Sequence, residues 1–187
     1  MRVVILASGN GTNAEALIQA QKGRSYQVVG LASDQAQAKA LERAEKLGVP
    51  TAVFERKSYD SRLEWEEAIV AWCQSMKAEV LVLAGYMRIV GKSFLEAYPN
   101  KIINVHPALL PLFKGKSAIE DAYKAGASRT GVTVHLVDEG IDTGPILSQE
   151  ALDVDPEWTL EELEERIHQI EHRLYPEAID RFCQERQ

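Results

Sequence analysis

Lys101-Ile-Ile-Asn-Val-His-Pro107 is the stretch on which the fold turns. It reads as a short buried strand that ends in an amide, an imidazole and a proline. Asn104 and His106 are two apart, so on a strand they share a face. One is a fixed hydrogen-bond donor and acceptor; the other carries or releases a proton near neutral pH. At the carboxyl end of a strand in an open α/β sheet they stand where such sheets bind ligands. A strand end with a capping Asn and a surface His is the plainer reading of the same residues.

Working outward, strand-like and helix-like segments alternate. Arg2–Ala7, Tyr26–Ser33, Thr51–Phe54, Glu79–Ala84, Ile102–His106, Thr130–Val137 and Ile146–Val154 read as strands. Thr12–Gln21, a segment capped by Asp34 and running to Leu47, Leu63–Met76, Ser93–Ala97 and Ala118–Ala125 read as helices. Thr159-Leu-Glu-Glu162 is a capping box that opens a long amphipathic helix toward Phe182. Trp65, Ile69 and Trp72 form a helical stripe that predicts core packing. Between Thr130 and Val137, Val132, Val134 and Leu136 alternate with Thr133 and His135. This alternation of strands and helices predicts an α/β fold: a doubly wound, mainly parallel sheet with helices on both faces, as one domain over residues 1–187.

With 187 residues the chain suits one sizeable core, and a 45% apolar, 26% charged composition is ordinary for a globular protein. A net charge of -7 argues against a broad nucleic-acid footprint, though not against a local basic site for a phosphate or carboxylate. The two cysteines, Cys73 and Cys183, show no metal-binding or nucleophile spacing and predict a reduced, cytoplasmic protein. Met1–Ala7 is too short for a signal peptide, and no apolar run approaches the roughly 20 residues that cross a bilayer.

Two further stretches carry chemistry. Ser8-Gly-Asn-Gly-Thr-Asn13 joins the first strand to the first helix, where glycines admit a close ligand and free N–H groups favour an anion. It lacks the lysine of a Walker A loop and the third glycine of a dinucleotide fingerprint; a plain tight turn fits it too. Asp138-Glu-Gly-Ile-Asp-Thr-Gly-Pro145 offers a carboxylate, Asp142, on a glycine-rich loop, where it is either a turn residue or a partner for His106. A carboxylate beside an imidazole favours its protonated form, which stabilises an oxyanion together with an amide. No Ser or Cys sits in a nucleophile elbow, so the set suits direct acyl transfer between two bound substrates.

The chain resembles the phosphoribosylglycinamide formyltransferases, folate-dependent enzymes of purine synthesis. The resemblance rests on Ser8–Asn13, Leu83-Ala-Gly-Tyr-Met-Arg-Ile89, Asn104-Val-His-Pro-Ala-Leu-Leu-Pro111, Gly131–His135, Asp138–Pro145 and Glu171-His-Arg-Leu-Tyr-Pro176, in the family's order along nearly the whole chain. It implies a Rossmann-like formyltransferase domain that moves a formyl group from 10-formyltetrahydrofolate to the amine of glycinamide ribonucleotide, through a tetrahedral intermediate and without a metal. Asn104, His106 and Asp142 match the catalytic trio: His106 as proton donor, Asn104 on the formyl oxygen, Asp142 raising the basicity of His106. Gly11, Thr12, Asn13 and Ala14 match the ribonucleotide phosphate loop, and Glu171 matches the contact to the ribose and glycinamide end. Met87, Arg88, Ile89 and Val90, with Asp138, Glu139, Gly140, Ile141 and Asp142, match the folate pocket, which Asn104 also borders.

Arg62 matches a folate-side contact, or is a solvated arginine at a helix start. His135 is expected to support the site, and His168 and His172 either lie beside the ribonucleotide or are solvated. Ala108, Lys114 and Ser117 depart from the residues many relatives carry, all in the loop after the catalytic strand. Related hydrolases carry an extra N-terminal domain and the tRNA formyltransferases an added C-terminal one; neither is expected here. A non-catalytic binding module would not need the trio. The resemblance implies small-molecule partners only, no nucleic acid or membrane, and a monomer or homodimer.

Overall fold

A computed structural model describes residues 1–186. The elements follow one another as β1 (Arg2–Ala7), α1 (Thr12–Ala20), β2 (Gln27–Ser33), α2 (Lys39–Lys46), β3 (Thr51–Val53), α3 (Arg62–Ser75), β4 (Val80–Leu83), α4 (Lys92–Ala97), β5 (Ile102–His106), α5 (Ala118–Lys124), β6 (Arg129–Leu136), β7 (Ile146–Asp153) and α6 (Leu160–Gln184). They build one seven-stranded sheet in the order β3-β2-β1-β4-β5-β6-β7. The pairings from β3 through β5 are parallel, and β6 and β7 close the sheet antiparallel. Winding runs outward from β1 to β3, then starts again at β4 in the other direction. The switch point therefore lies between the carboxyl ends of β1 and β4, the place where open α/β sheets take ligands.

The central strands are apolar on both faces because both faces are covered. Val3, Ile5, Val82, Ile103 and Val105 meet α1, α2 and α6 through Leu17, Leu41, Ile167 and Ile179. Val4, Leu6, Leu81 and Leu83 meet α3 and α4 through Trp65, Ile69 and Phe94. The Trp65–Ile69–Trp72 stripe packs into this second core as expected, with Trp72 only partly buried and edge-on to Phe54. No helix among the described residues is long and apolar enough to cross a membrane.

The capping box forms as read: Thr159 accepts from the Glu162 amide at 3.2 Å and Glu162 accepts from the Thr159 amide at 2.7 Å. The helix it opens carries Tyr175 to the sheet, where its hydroxyl lies 2.8 Å from the Leu83 carbonyl and 2.9 Å from that of Ile103. These carbonyls precede Ala84 and Asn104, so α6 pins the two strand ends that border the site. One expectation fails. Asp34 caps no helix: α2 begins at Lys39 with Ala38 as its N-cap and no side-chain cap. The Asp34 carboxylate is instead buried and bonded to Ser8, Gln35 and Arg88.

Candidate active site

Ile103 and Val105 point into the α6 side, so Asn104 and His106 necessarily face the α3–α4 side. Antiparallel pairing sets His135 opposite Asn104 and Thr133 opposite His106. Residues directly opposite on paired strands share a face. Two sequence periods of two thus place four polar side chains on one patch of sheet, with His106 only 4% and His135 2% exposed.

The ring nitrogens are ordered by their partners. His106 Nε2 lies 2.7 Å from the Phe113 carbonyl, which can only accept, so Nε2 carries a hydrogen. Its Nδ1 faces Asp142 Oδ2 at 3.5 Å. His135 Nδ1 donates to the Leu136 carbonyl at 2.8 Å, which turns its Nε2 toward the Asn104 amide at 3.3 Å and Asp142 Oδ1 at 3.6 Å. The Asp142 carboxylate therefore stands between two imidazoles, and the Gly115 amide donates to it at 2.9 Å. Burial pushes this carboxyl up, but His135, the Gly115 amide and the nearby His106 outweigh burial and hold it below the usual carboxylate range.

The loop that brings Asp142 here explains its own sequence. Asp138 Oδ1 accepts from the Gly140 amide at 2.9 Å and the Thr143 hydroxyl at 2.6 Å, closing a tight turn. A side chain at Gly144 would collide with the Leu136 carbonyl, so the chain folds back over the sheet face only with glycine there. Asp142 has φ 53° and Phe113 φ 51°, left-handed values that non-glycine residues rarely adopt. Both strained residues aim their oxygens at His106, a placement typical of functional sites. Thr133 holds the loop after β5, donating to Ala108 O at 2.6 Å and accepting from the Leu110 amide at 3.1 Å. Ala108 is fully buried, and its bond to Thr133 runs through the backbone carbonyl.

At the other end, α1 starts with Gly11 as N-cap at φ 78° and no side-chain cap, so neither Thr12 nor Asn13 caps it and the first-turn N–H groups face outward. A Cβ on Gly11 would also strike Ala40. Asn13 Nδ2 donates at 3.0 Å to Glu171, a buried carboxylate 158 positions away, which also pairs with His168 Nδ1 at 2.9 Å. This bond to Glu171 raises the His168 ring above its ordinary value, whereas burial lowers His172. A raised folded-state value means the pair stabilises the fold fully below about pH 6.5 and loses that contribution as pH rises through the folded value. An NMR titration is expected to place His168 above about 6.5, and Glu171→Gln to return it there; a His168 unmoved by the substitution contradicts the pairing.

The remaining segments border the cluster. Arg62, its side chain 55% exposed, donates to Glu66 at 2.7 Å and to the Ile89 carbonyl at 2.9 Å, so it braces the segment after β4 while still open to solvent. Arg62 opens α3, and Ser61 caps it. Arg88 turns its guanidinium onto Asp34 at 2.7 Å. Val90 is buried, whereas Met87, Ile89 and Ile141 are 67%, 60% and 57% exposed, an apolar rim suited to a flat ring. Sequence reading gave His135 a supporting part; the β5–β6 register puts it in contact with the trio. It missed Phe113 and Thr133 as parts of the site. For Thr133 the alternation in β6 was the available signal; for the Phe113 carbonyl there was none.

An amide and an imidazole at the carboxyl end of β5 meet a loop carboxylate on an open α/β sheet, an arrangement suited to acyl transfer, and the chain belongs to the formyl transferase family, whose profile matches residues 1–179. It is 45% identical over 180 residues to phosphoribosylglycinamide formyltransferase of Bacillus subtilis (strain 168), covering 95% of this chain and 92% of that protein. Among solved structures it is similar to phosphoribosylglycinamide formyltransferase from Bacillus halodurans, with a TM-score of 0.95 and 44% identity over 100% of this chain and 97% of that one. It is also similar to glycinamide ribonucleotide transformylase 1 from Symbiobacterium toebii, with a TM-score of 0.96 and 40% identity over 100% of this chain and 89% of that one.

Proposed function

We infer that this chain transfers the formyl group of 10-formyltetrahydrofolate to the amine of glycinamide ribonucleotide, a one-carbon step of purine biosynthesis. The observation that carries the reading is the convergence of Asn104, His106 and Asp142 on one buried patch, with Asp142 3.5 Å from His106. Bound beside them, the folate supplies the formyl carbon and the departing nitrogen.

The residues divide the work by what each can donate or accept. As the amine attacks, negative charge grows on the formyl oxygen. Asn104 has one amide hydrogen toward His135 and a second for that oxygen. The 3.5 Å between His106 Nδ1 and Asp142 exceeds a hydrogen bond, so a proton there is open to a substrate oxygen. Asp142, kept charged, receives the proton that the attacking amine loses, and His106 returns one to the departing nitrogen. The proton count balances with no covalent adduct on the protein. The uncapped start of α1 at Thr12, Asn13 and Ala14, with Gly11 before it, is the place for the ribonucleotide phosphate. Glu171 takes the ribose and glycinamide end. Backbone groups of Met87–Val90 and of Asp138–Asp142 read the pterin, with Arg62 at the rim toward the folate tail.

The whole chain, 1–187, acts as one formyltransferase domain on small molecules, as a monomer or homodimer. Two buried, unpaired cysteines support a cytoplasmic setting. The test is a spectrophotometric assay of 10-formyltetrahydrofolate with and without glycinamide ribonucleotide. Deformylation that requires the ribonucleotide is expected. Deformylation without it makes the protein a hydrolase, and none in either case makes it a binding module.

A further inference from the structure

We propose that Ser8 and Asp34 form a positioning relay that ties the segment after β4 to the loop after β1, so that one buried carboxylate sets the geometry of both substrate segments. The assignment of those segments to folate and ribonucleotide rests on the function inferred above.

β1 and β4 are neighbours at the switch point, and the chain leaves each in a loop: residues 8–11 and residues 84–91. The Ser8 amide donates to the Gly85 carbonyl at 3.1 Å. The Ser8 hydroxyl accepts from the Met87 amide at 2.9 Å and donates to Asp34 Oδ1 at 2.6 Å. Asp34 Oδ2 in turn accepts from Arg88 Nε at 2.7 Å and Gln35 Nε2 at 3.1 Å. A single chain of polar contacts thus runs from the end of β2, through the last residue before the glycine loop, to the amide of Met87 and the side chain of Arg88.

The placement is not that of an ordinary surface turn. Asp34 is 3% exposed, and a buried carboxylate is tolerated only where hydrogen bonds satisfy it. The segment it serves is anchored on the second core by Tyr86, whereas Met87 and Ile89 are exposed. Polar contacts fix its backbone, through Ser8 on the Met87 amide and Arg62 on the Ile89 carbonyl, while Asp34 holds the Arg88 side chain. Such contacts, unlike packing, fix the direction of the free amide and carbonyl groups that would read a planar ring.

The experiment uses the full-length protein as Ser8→Ala and Asp34→Asn, with Ser8→Thr as the conservative control. Steady-state kinetics are measured for each substrate, with amide hydrogen exchange over residues 83–90 and 8–14. Both variants are expected to raise KM for folate and for ribonucleotide about tenfold, the size of one charge-assisted hydrogen bond, with a smaller fall in kcat. Exchange should quicken in both segments, and Ser8→Thr should behave as the parent. Ser8→Ala removes one hydroxyl and keeps the test alive if Asp34→Asn fails to fold. A lower melting temperature with both KM values unchanged overturns the relay, as does a rise confined to one substrate. If the unsubstituted protein transfers no formyl group, the function reading fails; the exchange data then uphold or overturn the relay on their own.

Discussion

His106→Ala is expected to lower turnover by about 10²–10⁴, the range for loss of a positioned acid–base group. The ring is the one titratable donor placed between Asp142 and the Phe113 carbonyl, and its removal leaves that carbonyl without its partner and Asp142 with only the Gly115 amide and His135 beside it. His135 does not replace it: its Nδ1 is committed to the Leu136 carbonyl and its Nε2 points toward Asn104. Ribonucleotide affinity should change little, because the α1 start and the Asn13–Glu171 contact share no hydrogen bond with His106. The measurement is kcat with ribonucleotide Kd on the same preparation, with circular dichroism to show that the variant is folded. Turnover within a few-fold of the parent would remove His106 from the chemistry.

Asp142→Asn is expected to reduce turnover on the order of 10²-fold. In a serine-protease triad the equivalent change costs about 10⁴-fold, but there the carboxylate is bonded directly to the imidazole. Here the separation is 3.5 Å, so the electrostatic hold is weaker and the loss smaller. The substitution is a clean one because Asn tolerates the left-handed φ of 53° as well as Asp does. What it removes is the charge. In the parent, with the carboxyl held below its usual range, Asp142 remains charged at neutral pH and its contribution to stability is lost only as pH falls through that lowered value. Acid unfolding of Asp142→Asn should therefore show a shallower dependence on pH below about 4 than the parent. Kinetics that match the parent would deny Asp142 a part in proton transfer.

Much of this was legible in the sequence. The alternation of apolar runs with amphipathic segments gave every strand and the α/β class, because strand and helix periods are set locally. The two-residue spacing of Asn104 and His106, and of Thr133 and His135, gave their faces. What local patterns could not give was register. Only the antiparallel pairing of β5 with β6 sets His135 against Asn104, and only the fold-back at Gly144 brings Asp142 to His106, 36 positions earlier. The contact of Asn13 with Glu171 spans 158 positions and follows from α1 and α6 packing on the same sheet face. Asp34 misled for a physical reason: an acidic residue before a helix is usually a cap, yet here Ser8 and Arg88, brought in by the loops that follow β1 and β4, compete for it and win.

Direct formyl transfer at the Asn104–His106–Asp142 site leaves a trace in where the formyl carbon goes. The most direct measurement is a single turnover with protein in excess, ¹³C-formyl-labelled 10-formyltetrahydrofolate and glycinamide ribonucleotide, followed by NMR. Label is expected to leave the folate and appear on the ribonucleotide amine at one rate, a rate that falls in parallel in His106→Ala and Asp142→Asn. Label that collects as free formate or on the protein, or a rate indifferent to both substitutions, would contradict it.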